Sequence, residues 1–286
     1  MVLLEAIGQF EKYQTSIDRS EKTIEAYRND LLFFVKYLVD AYNCTPYLTD
    51  VTSEDIEDYF FYLKKERGYS PASLKRKLAV FRTFYNFCNK KKYCNTNAAV
   101  HVETIKQEHR EKEFLTSGEV LQLVDAIDHQ LMKKVVLTLY YTGLRISECI
   151  NLTLEEIDFK HNTIKIYGKG KKERIVPLNL KLKEILLHYI ENERPYSKTN
   201  NLFCTAASGG VSDSYVNKLI KTAVDKLGWN KEVTCHTFRH SFASNLVKKN
   251  VNVVQIQKLL GHTSLSTTTV YTHTKLDDLT SAVNQL

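Results

Sequence analysis

Apolar side chains recur three and four residues apart through most of the first ninety positions, and that spacing restricts the stretch to helices with one buried face. Ile24, Tyr27, Leu31, Phe34, Val35 and Leu38 form one such stripe, behind a serine suited to cap a helix, Ser20. Thr52 and Asp55 resemble a second helix start, followed by Ile56, Tyr59, Phe60 and Leu63. Ser70 and Pro71 combine an N-cap with a first-turn proline, and Leu74, Leu78, Phe81, Phe84 and Tyr85 supply the stripe behind them. Leu4, Ile7 and Phe10 predict one more helix at the start. Only 10 glycines and 4 prolines occur in 286 residues, so few breakers interrupt these patterns. The expected fold is therefore mainly α, beginning with a helical bundle.

Charge is basic overall, with 40 Lys and Arg against 33 Asp and Glu. That balance suits nucleic acid or an anionic membrane, and alone it selects neither. Its distribution says more. Residues 60–92 hold Lys64, Lys65, Arg67, Lys75, Arg76, Lys77, Arg82 and Lys90 to Lys92, with Glu66 as the single acid. Charge runs are usually solvated helix faces. A nearly acid-free run is better explained by counterion release from a phosphate backbone, so these residues are expected to contact DNA. No segment approaches 18 uninterrupted apolar residues, and the first residues lack the basic start and apolar run of a signal peptide, which predicts a cytoplasmic, nucleoid-associated protein. Cys44, Cys88, Cys94, Cys149, Cys204 and Cys235 show neither a Cys-x-x-Cys pair nor zinc-like histidine spacing, and they are expected as free, mostly buried thiols.

Apolar periodicity fades between Asn95 and Glu113, where residues 104–112 are polar. A linker at about 100–113 follows, dividing a helical DNA-binding domain (1–107) from a second domain (108–286). Order resumes at Thr116 and Glu119, a capping box ahead of Val120, Leu123, Val124 and Ile127. A helix through Val135, Val136 and Leu139 runs to Gly143, a plausible C-terminal cap. Residues 163–167 alternate as a strand and 174–177 as its neighbour, with a basic hairpin tip, Gly168-Lys-Gly-Lys-Lys172, between them. Further helices are expected at about 181–193, 212–228, 235–249 and 253–260. The second domain is thus α+β with a small sheet.

Four motifs in this half stand out: Thr142-Gly-Leu-Arg-Ile-Ser-Glu148, the hairpin lysine Lys169, His236-Thr-Phe-Arg239-His240, and Leu259-Leu-Gly-His262 with Tyr271 nine residues on. Singly each is weak, since a lone tyrosine is more often a packed aromatic and a lone Gly-Leu-Arg is ordinary helix-end chemistry. Together they match one task. His236 and Arg239 share a helix face, and Arg145 projects from a helix start after a helix-ending glycine. Two guanidinium forks aimed at one point suit a phosphodiester. No Asp-x-Asp pair offers a two-metal cage. A site without metal must stabilise a phosphoryl transition state with protein cations, and a tyrosine hydroxyl can then attack phosphorus.

These motifs closely resemble the tyrosine recombinase family of phage integrases, Xer-type chromosome resolution enzymes and transposon recombinases. The resemblance is carried by TGLRISE at 142–148, GKGKKERIVPL at 168–178, HTFRHSFAS at 236–244, LLGH at 259–262 and TTTVYTH at 267–273. It implies that Arg145 and Arg239 clamp the scissile phosphate and that Tyr271 is the nucleophile, leaving a 3′-phosphotyrosine. It further implies that Lys169 protonates the 5′ oxygen, His236 accepts the tyrosine proton, His262 hydrogen-bonds the phosphate and Glu148 orients the site. Lys171 and Lys172 would touch DNA beside it. Some relatives carry Trp at the His262 position. A homotetramer on two sites in double-stranded DNA, a C-shaped clamp, and no ATP or catalytic metal are likewise implied. Two rivals stay open: a type IB topoisomerase-like relaxing enzyme, and a non-catalytic DNA-binding regulator of the same fold. Finally, Leu276, Leu279, Val283 and Leu286 give the tail one apolar face. The family favours docking of that face on a neighbouring subunit, with docking on its own domain as the alternative.

Overall fold

The computed structural model describes residues 1–103, 113–167, 173–206, 209–261, 280 and 283–284. The expectations for the 104–112 linker, for Lys169, Lys171, Lys172, His262 and Tyr271, and for Leu276, Leu279 and Leu286 lie outside these residues. The chain divides into two compact units, Met1–Arg110 and Glu111–Leu286.

Among the described residues the first unit contains four helices, α1 (Leu3–Ser16), α2 (Glu21–Tyr42), α3 (Ser53–Lys65) and α4 (Pro71–Lys90). Local chemistry sets their starts. Thr52 Oγ1 accepts from the Asp55 amide while the Asp55 carboxylate accepts from the Thr52 amide, a reciprocal cap on α3. Ser70 accepts from the Ser73 amide, and Pro71 opens α4. The stripes meet in a core rich in aromatics, where Phe34 lies edge-on to Phe81 at 5.0 Å and Phe10 to Phe84 at 5.5 Å. In α1 the expected face is off by one residue at its start. Leu3 is buried with Ile7 and Phe10, and Leu4 points to solvent. Positions 3, 7 and 10 follow the helical period more closely than 4, 7 and 10. The Leu3 amide also donates to Pro46 O, which pins the chain start in that rotation.

Two basic residues expected on a DNA-contacting surface turn inward. Lys77 is buried and pairs with the equally buried Asp30 at 2.5 Å, over the ring of Tyr69. The period explains it: position 77 lies three after Leu74 and four before Phe81, on the apolar face of α4. Arg82 is half-buried, and its guanidinium donates to Val102 O at 2.7 Å and Ala99 O at 3.4 Å, tying that segment to α4. Lys64, Lys65, Arg67, Lys75 and Lys90 to Lys92 are exposed. Arg76 is exposed as well, although it reaches Asp30 at 2.8 Å.

The second unit comprises α5 (Ser117–Ala126), α6 (Gln130–Thr142), α7 (Ile146–Ile150), strands β1 (Ile157–Asp158), β2 (Thr163–Tyr167) and β3 (Glu173–Pro177), then α8 (Leu180–His188), α9 (Asp213–Lys226), α10 (Cys235–Lys248) and α11 (Val253–Leu260). A π-type turn, Tyr189–Glu193, extends α8 to the predicted end. The strands form an antiparallel sheet in the order β1-β2-β3, with Ile164 opposite Val176 and Tyr167 opposite Glu173. β1 has two residues, too few for any periodicity to reveal. Helix α6 is buried almost all round, and α10 supplies Phe238, Phe242 and Leu246 to the same core. Five cysteines are buried and Cys44 is exposed, all as free thiols. No helix among the described residues is long and apolar enough to cross a membrane.

In the single chain, the described part of the tail packs on its own unit, the alternative to docking on a neighbour. Val283 is fully buried in the core of its own unit, and Val283 O accepts from Asn179 Nδ2 at 2.9 Å. The Leu180 amide donates to Asn284 Oδ1. Asn179 is itself buried and caps α8 through its other side-chain atom, so the tail completes the pairing of a polar group that has left water.

Two outcomes follow. Truncation after Thr274 should lower the melting temperature, and Val283→Ala alone should cost about 1–3 kcal/mol in urea unfolding. A truncated chain that melts with the full one would show that this contact contributes nothing. Lys77→Ala should also act on stability, costing about 3 kcal/mol, because Asp30 stays buried with its nearest cation gone. A variant that unfolds normally but binds DNA weakly would return Lys77 to the surface.

Candidate active site

The site begins where α6 ends. Gly143 closes that helix in the left-handed conformation (φ 64°), which suits glycine. A side chain there is excluded twice over, since a Cβ would lie 2.6 Å from Phe242 Cδ1 and 3.0 Å from Leu260 Cδ2. Leu144 is then buried, and Arg145 stands as N-cap of α7. Two helices thus meet at a corner locked by core packing, with Arg145 on the corner.

Glu148, one turn into α7, is the hub. Its carboxylate accepts from the Arg145 amide at 2.8 Å and from Arg145 Nη1 at 3.0 Å. It also accepts from Arg174 Nη1 at 2.9 Å and Nη2 at 2.7 Å, one bond to each oxygen. Burial by itself raises the pKa of such a group. The hydrogen bonds from Arg174 and Arg145, with the Arg174 charge, outweigh that effect and hold Glu148 at about 2.

Arg239 enters from α10. Its Nη1 donates to Gly143 O at 2.5 Å and its Nη2 to Leu260 O at 2.7 Å, the carbonyls at the ends of α6 and α11. Burial first, and then the neighbouring Arg145 charge, lower its pKa to about 10, so it remains a cation at neutral pH. His236, in the first turn of α10, is exposed one turn before Arg239. The start of α10 is held by the Cys235 amide donating to Asn217 Oδ1 on α9.

The structure therefore brings Arg145 and Glu148 of the α7 corner together with Arg239 of α10 and puts His236 on the same helix as Arg239. Two guanidiniums, Arg145 and Arg174, hold the Glu148 carboxylate and the Arg239 charge is felt beside them, an excess of two positive charges suited to a bound anion. The third, Arg174, escaped the sequence reading. A signal for it existed: β3 alternates, Ile175 faces solvent, and Arg174 shares the inward face with buried Val176. A charge on an inward strand position requires a buried partner.

The chain matches the model of the phage integrase family over residues 113–277 and that of the phage integrase N-terminal SAM-like domain over residues 7–92. It is 33% identical over 275 residues to tyrosine recombinase XerD of Staphylococcus saprophyticus, covering 93% of this chain and 92% of the relative. A tyrosine recombinase of Pseudothermotoga lettingae is 33% identical over 284 residues, covering 98% and 97%. Among solved structures, a lambda integrase dimer bound to a COC′ core site shares the fold with a TM-score of 0.77 at 18% identity, over 95% of this chain and 100% of that one. The Tn1549 transposon integrase in complex with circular intermediate DNA gives 0.75 at 18% identity, over 98% of each chain. Recombinases matching nearly end to end favour neither a relaxing topoisomerase nor a regulator without catalysis. The chain belongs to the phage integrase family and is a tyrosine recombinase, an enzyme that breaks and rejoins DNA strands in site-specific recombination.

Proposed function

We propose that this recombinase cuts double-stranded DNA by attack of the Tyr271 hydroxyl on a phosphodiester held by Arg145 and Arg239. The Tyr271 oxygen bonds to phosphorus as the bond to the 5′ oxygen breaks. The tyrosine proton passes to His236, and Lys169 gives a proton to the departing 5′ oxygen. The strand is left as a 3′-phosphotyrosine and a free 5′-hydroxyl. Rejoining reverses these steps with a second strand's 5′-hydroxyl, so bond energy is retained and no nucleotide cofactor is consumed. His262 hydrogen-bonds the phosphate, and Glu148 keeps Arg145 aimed at it.

The observation that carries this reading is the charge excess where α7, β3 and α10 converge, a cluster needing an anion to balance it. The roles of Lys169, His262 and Tyr271 rest on their motifs. For the wider DNA contact, the exposed Lys64, Lys65, Arg67, Lys75 and Arg76 of the first unit supply phosphate-binding charge, with Lys171 and Lys172 of the second. Lambda integrase is found as a tetramer bound to a Holliday junction. By that likeness we assign this chain a homotetramer acting on two sites.

Tyr271→Phe should abolish the covalent protein–DNA adduct on a nicked substrate while leaving binding in a gel shift unchanged, because only the nucleophile is lost. An adduct that persists would move the chemistry to another residue. Lys169→Ala should slow cleavage of ordinary DNA by about 100-fold or more, and a substrate with sulfur at the 5′ bridging position should react near the wild-type rate, since sulfur leaves without a proton. Equal defects on both substrates would make Lys169 a phosphate contact instead.

A further inference from the structure

We propose that Arg174 is a positioning residue whose task is to keep Glu148 from neutralising Arg145, an inference that rests on the reading of Arg145 as a phosphate ligand. Arg174 is poorly placed to bind DNA itself. Its side chain is only 13% exposed, and each of its terminal nitrogens donates to Glu148. Its third nitrogen, Nε, is buried without an acceptor among the described residues. Arg145 is the opposite case, 42% exposed at the corner before α7.

The geometry of the carboxylate gives the argument. A carboxylate and a guanidinium pair best fork to fork, two parallel hydrogen bonds at once. Glu148 lies within reach of two guanidiniums, and the fork goes to Arg174. Arg145 receives a single side-chain bond, through Nη1 to Oε1. That leaves most of the Arg145 donors for an anion while its orientation stays defined. Without Arg174, Glu148 is a buried carboxylate with one cation beside it, and the best arrangement open to it is the fork with Arg145. That pair would be self-contained, and the phosphate would compete with a built-in carboxylate for the same donors.

A second observation fits the same role. Arg174 passes beneath the end of α11, where a Cβ on Gly261 would lie 2.7 Å from Arg174 Cδ and 3.0 Å from its Nε. The residue that follows Gly261 in the sequence is His262, and Lys169 lies shortly before Arg174 in the sequence. One side chain therefore links the Glu148 hub with the chain neighbours of two further motif residues.

The test is single-turnover formation of the covalent adduct on nicked DNA, beside gel-shift binding and thermal melting, for Arg174→Ala, Arg174→Lys, Glu148→Gln and the two double variants. Arg174→Ala should slow the adduct by about 100-fold, with binding changed by less than about threefold because the distributed phosphate contacts remain. Arg174→Lys keeps a cation and an aliphatic stem under Gly261 but loses the fork, and it should fall between. The decisive result is rescue. Adding Glu148→Gln should restore at least about tenfold to either Arg174 variant, because an amide cannot quench the Arg145 charge. Packing damage predicts the reverse, with double variants no faster and less stable than single ones. Double variants that are no faster, or an Arg174→Lys enzyme at wild-type rate, would overturn the proposal. The rescue is scored on total adduct, so it holds even if Tyr271→Phe shows the linkage to lie on another residue.

Discussion

The second unit of this protein is organised around one carboxylate among three guanidiniums. Like charges this close repel, and burial strengthens the repulsion by removing water. Glu148 answers it for Arg145 and Arg174. Arg239 is answered differently, by the carbonyls at the ends of α6 and α11, where the partial negative charge of a helix collects. Backbone carbonyls hold a guanidinium without cancelling its formal charge. The fold can therefore fix a cation in a half-buried place and still keep an excess of positive charge suited to an anion.

What was legible in the sequence was local. The caps at Thr52, Ser70 and Thr116, the left-handed end at Gly143 and the two longer strands each depend on residues a few positions apart, and the structure has them where the spacing put them. The placement of Arg145 at a helix start after a helix-ending glycine was legible for the same reason. Errors arose where sign was read without direction. The basic run on α4 reads in the sequence as one surface, yet Lys77 lies on the apolar side of the period and pairs with Asp30, 47 positions away. Arg174 shows the converse. It sits inside a motif carrying the resemblance, but its importance comes from Glu148, 26 residues earlier, which no local spacing reveals. The docking of Val283 on Asn179 joins residues 104 apart, and no periodicity in the tail specifies its acceptor.

The way Arg239 is held explains why two of the motifs contain glycine. Gly143 and Gly261 both end helices in the left-handed conformation, and at each a Cβ would collide with a neighbour, Phe242 at one and Arg174 at the other. The missing side chains allow close approach, so that α6 and α11 bring their last carbonyls to one guanidinium. A cation seated on backbone atoms is positioned by the packing of whole helices rather than by the rotamer of one acidic partner. Helix α7, at five residues, is too short to be stable alone, and it takes its direction from the same packed corner. The geometry of the cation cluster is thus a consequence of core packing among α6, α10 and α11. Substitutions that loosen Phe242 or Leu260 reach the site through the backbone, without touching any residue that would meet DNA.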